Sequence, residues 1–228
     1  MDPQSPPLTG LDRLIRANPE RRTRLHTARG ELMGPSGWRD IPGSLVRRLR
    51  RLPEQRPWLV PGAVRWLEAV IEADWRVLEL GSGVSTTWFS ERTSQVLTLE
   101  DDPDWAERVR AQLSAARLEN CDLRLVELAQ FPSLIQELPP ESFDLVVVDS
   151  NESTQMTRAD CLIAARDRVK PGHWLIVDDS DRPAHRAADE HLRGWNVQRF
   201  VGMKTFPLMA VETSVYRRPT VEGSGPGR

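Results

Sequence analysis

Five short runs, at residues 77–80, 96–99, 123–126, 143–148 and 174–177, are apolar almost throughout. Segments of helical character separate them, at 86–92, 104–118, around 134–138 and 159–169. A run that is apolar throughout, rather than at alternate positions, belongs to a strand covered on both faces. Strands alternating with helices build parallel sheets. Ahead of the first run, "PGAVRWLEAVIEA" from Pro61 sets Val64, Leu67, Val70 and Ile71 at helical spacing, with a proline suited to the first turn. Near the end, "NVQRFVG" and "LMAVETSVYRR" follow one another without a convincing helix between them. They read as an antiparallel pair on the same sheet. The expected fold class is therefore α/β, a doubly wound, seven-stranded and mostly parallel sheet with an antiparallel terminal strand pair and an N-terminal helical extension.

At 228 residues the chain can bury one full core and a small appendage. The expected division is a basic extension over 1–60, a ligand-binding domain over 61–218 and a flexible tail over 219–228, whose "PTVEGSGPGR" end is poor in apolar residues. Charge is distributed unevenly. Residues 1–60 carry 12 Arg against 6 acids, a balance of +6, whereas the remainder stands at −8. The extension reads first as the solvated face of two short helices, and secondly as a cationic lid or a dock for an acidic carrier or partner. No stretch approaches the ~20 apolar residues of a membrane span, and the polar, proline-rich start lacks a signal-peptide pattern. The expected location is cytoplasmic, with no membrane partner. Cys121 and Cys161 lie far apart, without metal-ligand spacing, and read as small apolar residues.

The turn after the first run is the most informative local feature. "RVLELGSGVSTTWFSER" leaves a strand through Glu79-Leu80-Gly81-Ser82-Gly83. In a doubly wound sheet the ligand lies beyond the C-terminal strand ends, where glycines allow tight turning and close approach. A nicotinamide fingerprint would need a third glycine where Thr86 stands, and a phosphate loop would need a following Gly-Lys-Ser/Thr. Glu79 also disfavours a diphosphate and favours a ligand with cationic or polar groups. The second run ends in Glu100, 21 residues on, where an acid commonly accepts from a ribose diol.

These residues resemble the class I S-adenosylmethionine-dependent methyltransferases, in their seven-stranded Rossmann-like form. Glu79, Gly81 and Gly83 meet the acid-x-Gly-x-Gly motif, and Glu100 meets the second-strand acid. The likeness extends through Asp102 and Trp105 to "FDLVVVDS…TRADCLIAARDRVKPGHWLIVDD". It implies S-adenosylmethionine as cofactor. Gly81 and Gly83 would approach its methionine part and Glu100 its ribose, with Ser82 and Asp101 beside them. Glu127 would serve the adenine amino group, although "VELAQF" lacks a clearly placed acid. His173 stands in place of the second glycine of the family's Pro-Gly-Gly, where a local backbone adjustment is expected.

Methyl transfer is a displacement that needs alignment and, for some acceptors, a base. Asp149 and Asp179 at strand ends and His185 in a following helix are the candidate catalytic groups; Ser180 or Asp181 would cap that helix. Arg158 and Arg182 suit an acceptor carboxylate or phosphate, because a guanidinium binds such groups bidentately. Asp149, Asp178 and Asp179 also resemble the metal site of catechol-type methyltransferases. Mg²⁺ is nonetheless the lesser expectation, since relatives without metal carry the same Asp-Asp pair. Trp66 and Trp88 read as core, and Trp38 and Trp58 as lid residues. The leading function is methyl transfer to a small-molecule acceptor, anionic acceptors included, with nucleic acid disfavoured. The rivals are another displacement or elimination on an acidic or carrier-bound substrate, and a non-catalytic binding partner.

Overall fold

A computed structural model describes residues 23–50, 55–153, 156–182, 185–205 and 208–220. The start of the extension, Leu52 and most of the tail lie outside these residues. Helices α1 (Pro35–Trp38), α2 (Ile41–Arg50) and α3 (Pro61–Val70) precede the sheet. Then β1 (Arg76–Leu80), α4 (Val84–Ser90), β2 (Gln95–Glu100), α5 (Pro103–Ala115) and β3 (Cys121–Leu125) alternate. They are followed by α6 (Phe131–Glu137), β4 (Phe143–Val148), α7 (Arg158–Ala165), β5 (Val169–Val177) and α8 (Arg186–His191). Strands β6 (Asn196–Lys204) and β7 (Met209–Arg217) complete the order β3-β2-β1-β4-β5-β7-β6.

The first five strands pair in parallel, and β7 runs antiparallel to both β5 and β6. The sheet is thus the seven-stranded one expected. The chain builds outward from β1 to β3, then returns to lay β4 on the other side of β1. The strand order reverses at that seam, which is where open α/β sheets open a crevice. Alternate side chains of each strand serve opposite layers. Leu78, Leu80, Val146 and Val148 pack on one face with Phe131, Ile135 and Leu162. Val77, Leu145 and Val147 pack on the other with Leu67, Trp88 and Phe89. Trp88 is core, and Trp66 is half-buried, with its ring edge-on to Trp174 at 4.8 Å between centroids.

β5 begins earlier than its apolar run because Val169 pairs with Phe143 before the register shifts near Leu145. Gly172 takes φ +80 within that irregular stretch, and His173 follows it against Trp75, 5.8 Å between ring centroids. In the extension, α2 turns Ser44 inward, where its hydroxyl donates to the Met203 carbonyl at 3.1 Å. The helix faces the protein with Ile41 and Ser44 and leaves Leu45, Val46 and Leu49 exposed. Ala210 N–H donates to the Arg24 carbonyl at 2.7 Å, tying the extension to β7. Cys161 is buried and Cys121 half-buried, and neither is in a disulfide. No helix among the described residues is long and apolar enough to cross a membrane.

Candidate active site

A cleft of about 410 Å³ opens over the C-terminal ends of β1, β2, β4 and β5. Its floor is the turn between β1 and α4. Gly81 has φ +90, and a Cβ there would stand 2.6 Å from the Asp149 carbonyl oxygen. The close approach this glycine permits is to the chain's own backbone leaving β4. Glu79 alternates onto the Val77 face, beneath the turn, where it is buried and does not line the cleft. Its Oε2 accepts from the Thr86 hydroxyl at 2.6 Å, and Thr86 Oγ1 accepts from Gly83 N–H at 2.9 Å. Burial pushes the Glu79 carboxyl up to about 7 against the hydroxyl hydrogen bonds that lower it. Glu79 therefore braces the turn from below.

Glu100 forms the neighbouring wall. Its Oε1 accepts from the N–H groups of Asp101 and Asp102, each at 2.9 Å. Its Oε2 accepts from Ser82 N–H at 2.7 Å and from the Ser82 hydroxyl at 2.6 Å. Asp101 is met by the Asn151 amide at 3.1 Å, and its carboxyl is raised chiefly by burial. Asp102 caps α5 through Trp105 N–H, and the Trp105 indole N–H donates to the Ser82 carbonyl at 2.7 Å. Trp105 thereby holds its ring at the cleft edge, beside the turn.

The opposite wall is an ion-pair network. Arg158 opens α7 and is buried. Its Nε donates to the Ser150 carbonyl at 2.7 Å, and one terminal nitrogen to the Asp178 carbonyl at 2.9 Å. The other meets Asp149 Oδ1 at 2.9 Å. One guanidinium thus clasps the ends of β4 and β5, and the acids around it raise its pKa despite burial. Lys204, at the end of β6, bonds Asp178 Oδ2 and, at 3.0 Å, Asp179 Oδ1. Asp178 Oδ1 accepts from the Thr213 hydroxyl at 3.0 Å, and Asp179 Oδ2 is held by Arg182. Burial raises the Asp178 carboxyl. For Asp179 the same burial is outweighed by Lys204 and Arg182, which lower it.

The expected site residues thus separate into groups. Gly81, Ser82, Glu100, Asp101, Asp149, Arg158, Asp178, Asp179 and Arg182 line the cleft, whereas Glu79 and Gly83 lie just beneath or behind it. Glu127 is exposed at the start of the short turn after β3, away from the cleft lining. His185 is buried behind the ionic wall, with Nδ1 2.9 Å from the Asp179 carbonyl and Nε2 2.9 Å from Glu152 Oε1. Burial lowers its pKa below the usual histidine value even though Glu152 pulls the other way. Ser180 and Asp181 turn inward: the Ser180 hydroxyl donates to Glu212 Oε1 at 2.9 Å, and Asp181 accepts from Ala28 N–H at 2.6 Å. Trp58 lines the cleft; Trp38 instead donates its indole N–H to the Met33 carbonyl.

Sequence reading missed Lys204 and Glu152. Glu152 sits in an irregular polar loop that offers no pattern. Lys204 had one signal, as one of only two lysines in a chain with 31 basic residues. The donor set fits S-adenosylmethionine on the Glu100 side, where carboxylates face the cleft opposite neutral donors and suit a ribose diol and a cationic ligand. It does not fit a divalent ion on the other side. There, Lys204, Arg182 and Thr213 already hold both oxygens of Asp178 and Asp179, and Arg158 holds Asp149 Oδ1. No metal-holding group of three or more His, Cys, Asp or Glu occurs among the described residues.

A seven-stranded sheet of this order, with an acid-braced glycine turn and a second-strand acid at its switch point, is the Rossmann-like methyltransferase fold. Residues 78–180 match the family model described as "Methyltransferase domain". No curated protein matches the sequence. Among solved structures, the chain is similar to a putative O-methyltransferase from Klebsiella pneumoniae, at 20% identity and TM-score 0.58, over 79% of this chain and 90% of that one. An O-methyltransferase from Bacillus cereus in complex with SAH is 17% identical, with TM-score 0.56, over 79% and 91% of the two chains. An rRNA methylase from Streptococcus thermophilus is 15% identical, with TM-score 0.54, over 68% and 93%. At these identities the likeness concerns the fold, and the acceptors of these proteins do not transfer to this one.

Proposed function

We propose that this enzyme methylates a small molecule that carries an oxygen anion or another anionic group, using S-adenosylmethionine as donor. The observation that carries the reading is the division of one cleft into two unlike walls. On one side Glu100 and Asp101 face the cleft with neutral hydrogen-bond partners. On the other, Arg158, Arg182 and Lys204 reach it together. The cofactor's ribose would lie on Glu100, and its methionine part over Gly81 and Ser82, with Gly83 and Glu79 supporting the turn. The cofactor supplies an electrophilic methyl group. The chain's part is to orient the acceptor beside it and to exclude water, and such alignment contributes on the order of 7–11 kcal/mol. Arg182, the more exposed of the two arginines, would receive the acceptor's anionic group, while Arg158 holds the wall in place. Asp149 is the carboxylate best placed to face a reacting group, as its side chain is 29% exposed and it lines the cleft. His185 would act on Arg182 through their shared partner Glu152, from behind the wall.

Calorimetric titration with S-adenosylmethionine and S-adenosylhomocysteine tests the reading. Wild type binds both, and Glu100→Ala weakens both by about 100-fold, as expected when charge-assisted hydrogen bonds of ~1.5–3 kcal/mol are lost. A folded wild-type protein that binds neither ligand would refute the proposal and favour a repurposed cleft.

A further inference from the structure

We infer that the Lys204 ammonium is the resident cation of the acceptor wall: it holds the place a divalent ion would need and offers its remaining N–H to an acceptor oxygen. This rests on the methyl-transfer reading for its purpose, though not for its geometry. An ion shared by Asp178 and Asp179 would need Asp178 Oδ2 and Asp179 Oδ1 to turn to it. Lys204 Nζ already bonds both of them, the latter at 3.0 Å. The other oxygens of the pair are closed as well, Asp178 Oδ1 by Thr213 at 3.0 Å and Asp179 Oδ2 by Arg182.

An ammonium has three N–H donors and no acceptor. Two are spent on these carboxylates, and Lys204 also lines the cleft with Trp58, Met209 and Val211. The third donor is therefore available on the side where an acceptor with an apolar body would sit. Residue choice points the same way. In a chain whose 31 basic residues include only two lysines, one stands where a compact, strongly hydrated point charge fits between two acids and a planar guanidinium would not. The other, Lys170, also meets a buried acid, with Nζ 2.7 Å from Asp144 Oδ1. The substrate class that follows is an acceptor bearing an anionic oxygen, held without a metal bridge.

The test uses the full chain saturated with S-adenosylhomocysteine and titrated with Mn²⁺, followed by electron paramagnetic resonance. Wild type leaves the free-ion signal unchanged. Lys204→Ala opens the acid pair and binds one Mn²⁺ at least about tenfold more tightly, and adding Asp179→Asn abolishes that gain. Mn²⁺ binding by wild type, or none by a folded Lys204→Ala protein, overturns the inference. Because Lys204→Ala removes the cation between two adjacent acids and risks misfolding, a charge-balanced Asp178→Asn/Lys204→Met variant carries a second arm. Ligand-observed NMR with benzoate then shows binding to wild type and at least about a tenfold loss in the variant. Equal affinity, or no affinity for benzoate in wild type, equally overturns it. Failure of the wild type to bind S-adenosylhomocysteine would count against the function proposed above and leave the Mn²⁺ result to be read on its own.

Discussion

The two walls of the cleft contain similar numbers of acids and treat them in opposite ways. On the β1–β2 side, Glu100 is met by three backbone N–H groups and a serine hydroxyl, and Asp101 by an amide. On the β4–β5–β6 side, Asp149, Asp178 and Asp179 are each met by a lysine or an arginine. The difference shows what each wall can receive. The first keeps its negative charge among neutral donors, the arrangement on which the proposed ribose contact relies. The second is neutralised from within, and what remains to face a ligand is the outer ends of its cations.

The largest expected effect tests whether the second wall is structural. Arg158→Met leaves Asp149 and Asp178 without their shared partner in a buried setting. Removing one member of a buried pair costs about 3–5 kcal/mol, so the loss should appear plainly in urea unfolding. A loss below ~1 kcal/mol would mean that the network follows the fold rather than holding it.

A smaller effect probes the acid beneath the first wall. Unfolded, Glu79 loses its proton near 4.5; folded, it keeps it to about 7. The folded state therefore binds more protons between those values, and stability falls as pH rises through that window, levelling off above it. Glu79→Gln should remove this fall. A tenfold difference in proton affinity between the two states is worth about 1.4 kcal/mol, so denaturation at pH 5 and pH 8 would detect even part of it. Parallel pH dependence in both proteins would show that the carboxyl is ionised throughout.

The smallest effect concerns Ser82. Its hydroxyl donates to Glu100 at 2.6 Å, on the oxygen a ribose would use. Ser82→Ala removes that competitor and keeps the backbone N–H, so affinity for S-adenosylhomocysteine should hold or improve, by no more than ~1 kcal/mol. A marked loss by calorimetry would show that the hydroxyl binds the ligand instead of standing in for it.

Legibility followed the same division. Glu79 and Gly81 could be placed from the sequence because strand, acid and turn lie within a few residues of each other, and Glu100 because it ends the next apolar run. Parallel pairing then sets Glu79 beside Thr98 and carries Glu100 to the same sheet edge. The direction of Glu79 was not legible, since facing the cleft or the underside depends on alternation at one strand end. For His185 the helical position was visible, but its burial behind Asp179 and Glu152 was not. Lys204 stood outside every motif.

The sequence by itself determined the order of strands and helices, the glycine turn and the acid on β2. Continuous apolar runs, paired glycines and short spacings act locally, and local physics reads them in one dimension. Only the tertiary structure decided that a lysine from β6 would lie between two acids at the end of β5, 26 and 25 residues away in sequence. β6 reaches that place through the antiparallel β7, which pairs Lys204 with Met209 while lying against β5. Charges joined by sheet pairing across such separations leave no periodicity or spacing in the chain, because their attraction acts only once the fold has brought them together.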